Sequence, residues 1–160
     1  MLSTITLLIL AAVVRASPIS DSESFALRAG GPAYVPITPP CTLSYPVSGP
    51  GSTPSQAYHP AVDITSTQIY SWDIDMPDSV YQNESAWWTE CIEQCNGLSG
   101  CRAAFLAYEV PAESRYGAPG GYPSVGCRMF NVFLREGDFA AVTNGSYTQA
   151  IAGNIDGCGK

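Results

Sequence analysis

Six cysteines constrain this chain more than any other feature: Cys41, Cys91, Cys95, Cys101, Cys127 and Cys158. They follow an N-terminus that carries the marks of an export signal. An even set of thiols sent into an oxidising compartment reads as a disulfide framework. Many pairings are open to six cysteines, and spacing by itself does not choose among them.

The export reading rests on residues 1–16. Leu2 to Val14 is an almost unbroken apolar run, shorter than the roughly 20 residues that span a bilayer. Val14 and Ala16 flank Arg15 at the two positions a signal peptidase inspects, which predicts cleavage before Ser17. No second long apolar run follows, and the polar end Asp156 to Lys160 opposes a lipid anchor. The expected location is therefore secreted, extracellular or cell wall, without membrane insertion.

Loss of the signal leaves about 144 residues, the size of one domain. Six basic residues then face fourteen acidic ones, a net charge of about −8 that repels phosphate backbones and argues against nucleic acid. Asn83-Glu84-Ser85 and Asn144-Gly145-Ser146 are N-glycosylation sequons.

Ser17 to Pro40, rich in Ser, Ala, Gly and Pro, reads as a flexible leader before a domain over residues 41–160. Thr42 to Tyr45 suits a short strand. Pro46 to Pro60 reads as a loop whose prolines oppose regular pairing. Ala61 to Asp75, with Val62, Ile64, Ile69, Trp72 and Ile74 among Thr and Ser, suggests one or two strands. The clearest helix is Ser85 to Asn96. Its period puts Trp88, Cys91, Ile92 and Cys95 on one face, points Glu90, Glu93 and Gln94 away, and leaves Gly97 as a left-handed stop. Cys101 to Val110, Ser124 to Leu134 and Ser146 to Ile151 read as strands. The link Pro111 to Pro123 is long and loose.

Cys95 and Cys101 flank a short turn that can hold them at bonding distance. Cys91, one helical turn earlier, should reach a different strand, such as the one carrying Cys127. A helix bearing Cys91 and Cys95, a turn to Cys101 opening a strand, and Cys127 followed by Arg128, Met129 and Phe130 together resemble the PAN/apple domain, as in small secreted fungal proteins. The resemblance covers Cys41 to Cys158 and is most specific from Trp87 to Phe130. It implies an α+β fold, a single helix packed on a curved antiparallel sheet. It also implies three nested disulfides: Cys41–Cys158, Cys91–Cys127 and Cys95–Cys101.

Catalytic candidates are few. His59 is the only histidine, so a His-activated nucleophile would have to use it. It stands between Tyr58 and Pro60, where a solvated ring is expected. Asp73, Asp75 and Asp78 are the tightest acidic group. Asp73 and Asp75 could face one side of a strand as a glycosidase pair or a weak cation site, although acids beside a turn are ordinarily just solvated. A zinc site from Cys91, Cys95 and Cys101 lacks the usual knuckle spacing. No metal and no cofactor are expected.

Binding candidates are better. Tyr116 and Tyr122 ride a glycine-rich loop with Arg115 beside them, as adaptable recognition surfaces do. Trp88 belongs to the inward helix stripe, whereas Trp87 falls at its edge as a half-exposed ligand contact. The leading expectation is a non-catalytic, secreted recognition module that binds an extracellular protein or carbohydrate. The alternatives are a structural wall or matrix protein, or a small secreted hydrolase using Asp73/Asp75 or His59.

Overall fold

The structure, a computed structural model, describes residues 31–52 and 56–158. The expected signal peptide and the expected leader as far as residue 30 lie outside the described residues. The elements in order are β1 (Thr42–Ser44), β2 (Ala57–Pro60), α1 (Val62–Thr65), β3 (Gln68–Asp75), a 3-10 turn (Asp78–Tyr81), α2 (Glu84–Gly97), β4 (Ala103–Pro111), β5 (Pro123–Phe130), a second 3-10 turn (Glu136–Asp138), β6 (Phe139–Val142) and β7 (Thr148–Asp156). The five longer-range strands form one antiparallel sheet in the order β1-β7-β4-β5-β3, and β2 pairs with β6 as a separate two-stranded flap. The architecture is α+β, one main helix on an antiparallel sheet.

Alternation along the strands, interrupted by register shifts in β3 and β4, gives the sheet two different faces. One face presents Trp72, Leu106, Val125, Cys127, Met129 and Ile151 to α2, whose Trp87, Trp88, Cys91, Ile92 and Cys95 complete a buried cluster. The other face presents Ala103, Phe105, Ala107, Ala150 and Ala152 to the flap, where Tyr58 and Phe139 cover them. Glycine at position 153 belongs to this economy of space. A Cβ there would stand 2.7 Å from Trp88, so only glycine lets the indole lie flat on β7.

α2 starts where Asn83 caps it: its Oδ1 accepts from the Ala86 amide at 2.9 Å, satisfying one otherwise orphaned donor. Gly97 is not the left-handed stop expected of it, since the helix ends by passing to extended backbone at Leu98. Its small size serves a close approach instead, because a Cβ on Gly97 would fall 1.8 Å from the Ala33 carbonyl oxygen. The later part of the expected leader is thus pinned rather than free. The Val35 amide donates to the Glu93 carbonyl at 3.0 Å, Asn96 Nδ2 donates to the Val35 and Pro36 carbonyls, and Ile37 packs on the core. A segment of low apolar content was read as unattached, but backbone hydrogen bonds to a helix flank need little apolar content.

Three further expectations change. Val62 to Thr65 forms a helical turn rather than a strand. Ala57 to Pro60 does pair, despite its prolines, because Pro60 sits at the end of an edge strand. Gln94, expected to point outward, is 1% exposed; the structure offers no physical account of its burial.

The cysteines pair as Cys41–Cys158, Cys91–Cys127 and Cys95–Cys101, with Cα separations of 4.4, 5.8 and 5.3 Å. Cys91 and Cys127 are fully buried between helix and sheet, whereas Cys41 and Cys158 are half-buried where the ends of the domain meet.

Candidate functional site

The link from Pro111 to Pro123 is ordered, and its order comes from its own backbone. Ala112 exchanges hydrogen bonds with the far arm, its amide donating to the Tyr122 carbonyl at 2.9 Å and its carbonyl accepting from Gly121 at 2.8 Å. Farther out, Arg115 and Ala118 pair through both of their backbone groups. Only Tyr116 and Gly117 lie between them, both at positive φ (+50° and +85°), the sign that a two-residue type I′ hairpin demands. Glycine takes that conformation freely, but tyrosine takes it under strain. The result places Tyr116 at the apex with its side chain fully in solvent (106% exposed), while Tyr122 on the returning arm is 43% exposed.

The base of the hairpin is fastened by charge. Arg115 bonds the Ser71 carbonyl and hydroxyl on β3, pairs with Glu113 Oε2 at 2.6 Å, and lies 3.7 Å from Asp73 Oδ2. Arg128, on β5 and nearly buried, pairs with Asp73 Oδ1 at 2.7 Å and with Glu113 Oε1 at 3.0 Å. Two guanidiniums therefore meet two carboxylates. Burial would raise the Glu113 pKa, but hydrogen bonds from Gln68 and Ser71, the Arg128 charge and the Arg115 hydrogen bond bring it down to about 2. Gly126 lies opposite Asp73 in the ladder and leaves the pair its room: a Cβ there would stand 3.1 Å from both Arg128 Nη1 and Asp73 Oδ1.

Beside this network lies a cleft of about 310 Å³ between the flap and β3–β5, with His59, Pro60, Val62, Pro111 and Tyr147 among its walls and Glu113 and Arg128 in its lining. His59 is not the solvated loop ring expected. It sits on β2, with its ring 5.2 Å from that of Tyr147 and its Nδ1 2.7 Å from the Pro60 carbonyl. Tyr147 also has positive φ (+55°), as do Glu109 and Gln149 around the same register shift between β4 and β7.

Set against the candidates from the sequence, Tyr116, Tyr122 and Arg115 do share one hairpin. Arg115 is engaged with Ser71 and Glu113, which makes it a positioning residue for the turn. Trp87 does not join them. It is 4% exposed, with Nε1 donating to the Ser79 carbonyl at 3.1 Å, because the 3-10 turn before α2 folds over the helix edge that periodicity left open. Asp73 is not a solvated turn residue: its side chain is 6% exposed, and both oxygens are engaged, Oδ1 by Arg128 and Oδ2 by the Glu113 amide at 3.2 Å. Asp75 is exposed, and Asp78 opens the 3-10 turn. Among the described residues, no group of three His, Cys, Asp or Glu side chains could hold a metal ion. Asn83 and Asn144 are both exposed.

Glu113, Arg128 and Tyr147 were missed by sequence reasoning. Arg128 did carry a signal, a charge inside the buried run Val125 to Phe130, which calls for an opposite charge on the neighbouring strand. Comparison with known proteins finds no matching family model, no matching curated protein and no matching solved structure.

Proposed function

We propose that the chain is a secreted, PAN/apple-like recognition module that binds an extracellular protein or carbohydrate through its Tyr116 hairpin and carries out no turnover. The observation that carries the reading is a fully exposed tyrosine held at positive φ on a hairpin whose base is clamped by two ion-paired arginines. Local strain persists only where the surroundings over-determine it, and it collects where a side chain must be presented. An exposed, rigid tyrosine supplies contact area at small entropic cost. One helix over an antiparallel sheet, with buried cystines between them, supports the PAN/apple likeness. The exposed Asn83 and Asn144 fit a glycosylated exterior.

The test is binding of the full chain to glycan arrays and to separated extracellular proteins, with Tyr116→Ala/Tyr122→Ala alongside. Binding should fall at least tenfold while melting is unchanged. Binding that survives the double variant would remove the hairpin from the recognition surface. Turnover of a glycan that is lost in Asp75→Asn or His59→Ala with melting unchanged would replace the reading with the hydrolase alternative.

A further inference from the structure

We infer that the cleft between the flap and the sheet is a second binding site, one that takes a single neutral, polyhydroxylated ring such as a hexopyranose unit. It is separate from the hairpin surface, and either site can fail without the other.

The argument begins with what the cleft does not offer. Arg128 donates Nη1 to the Trp72 and Cys127 carbonyls, Nη2 to Asp73 and Nε to Glu113, so four of its five N–H groups are engaged and two carboxylates already balance its charge. Glu113 accepts at Oε1 from Gln68 and Arg128, and at Oε2 from Ser71 and Arg115. The floor is charged but closed, with two positive groups against two negative ones. A phosphate or carboxylate would meet a single Arg128 Nη2 N–H beside two carboxylates already in place, and a cation would find no free carboxylate oxygen.

What remains open sits on the walls. His59 Nδ1 lies against a carbonyl oxygen, which can only accept, so Nδ1 carries the proton and Nε2 of the neutral ring is left as an acceptor. Tyr147 makes no side-chain hydrogen bond among the described residues, leaving its hydroxyl to give or take one. Burial raises its pKa, against the Arg128 charge and helped by those of Asp73 and Glu113, so the phenol keeps its proton. An acceptor beside a donor–acceptor suits an alcohol, which can donate to one and accept from the other. Around these two groups the His59–Tyr147 pair at 5.2 Å, Pro60, Val62 and Pro111 supply apolar wall, and Thr65 and Gln68 complete the lining. Such walls suit the apolar C–H face of a sugar. The volume of about 310 Å³ is at the small end for ligand sites, enough for one ring and short of an extended chain. The +55° φ of Tyr147 adds a strained backbone that fixes where this side chain points.

The sole histidine makes the test clean, because the His59 ring protons are a single-site reporter. The full chain at about pH 8 is titrated by NMR with glucose, mannose, galactose and N-acetylglucosamine, and separately with inorganic phosphate and benzoate. At least one sugar should shift the His59 resonances saturably, with a dissociation constant on the order of millimolar, and the two anions should not. Tyr147→Phe, which keeps the ring, should weaken that sugar at least fivefold. No saturable shift with any of the four sugars would overturn the inference, as would saturation by phosphate at comparable concentration. Sugar binding that is indifferent to Tyr147→Phe but lost in Tyr116→Ala would also overturn it, and would assign the sugar to the hairpin.

Discussion

The two faces of the central sheet are solved by different chemistry, although the same strands make both. Toward α2, the alternate positions are mostly large and apolar, three tryptophans share the cluster, and a buried cystine joins helix to strand. Toward the flap, the intervening positions are alanines with Phe105 among them, and at the β3–β5 edge Asp73 and Arg128 replace apolar residues altogether. The helix face is non-directional: burial rewards any well-packed apolar surface. The flap face is directional, since a buried guanidinium is tolerated only with its partners in place. Stability therefore resides mainly on one side of the sheet and placement on the other. The hairpin and the cleft both lie on the side of placement.

The largest expected effect breaks the helix face. Removing the helix–sheet cystine by Cys91→Ala/Cys127→Ala should cost about 4 kcal/mol from loop closure across this separation, read by urea denaturation. A loss under about 1 kcal/mol would mean that packing alone secures α2. A smaller effect sharpens the flap face. Asp73→Asn leaves Arg128 short of a partner and should cost about 3 kcal/mol, while Asp73→Asn with Arg128→Met should cost clearly less than the two single changes added together. Additive losses in that cycle would show that the pair is not one unit. The smallest effect is read by pH. Because the folded Glu113 pKa is lowered from 4.5 to about 2, its contribution is complete above about 4.5 and fades as pH falls toward 2. Melting temperature between pH 2 and 5 should fall more steeply in the native protein than in Glu113→Gln; parallel curves would remove this carboxylate from the anchor.

How much of this was legible depended on which face wrote it. α2 was readable because Trp88, Cys91, Ile92 and Cys95 repeat at the helical period, and its observed span, Glu84–Gly97, differs from the expected one by a residue at each end. Cys95 and Cys101 were readable because only a short turn separates them. The flap was not, since strands of four residues carry too few alternations to stand out from a Pro-rich stretch. Nor was the ion-pair network, for a different reason. Asp73, Glu113, Arg115 and Arg128 come from three segments, and only the register that sets Ser71 against Arg128 brings them together. Trp87 shows the limit of periodicity on a helix: the spacing along α2 marks which edge is marginal, but the cover comes from Ser79, outside the helix.

The bond between Cys41 and Cys158 closes the domain at the end of the sheet where β7 finishes and β4 begins, remote from the Tyr116 apex beyond the far end of β4. A pull applied at these two cysteines would therefore run through their sulfur atoms rather than through the hydrogen-bonded ladders between them. Under such a load the domain would act as a ring rather than a string, and the Tyr116 hairpin would keep its shape.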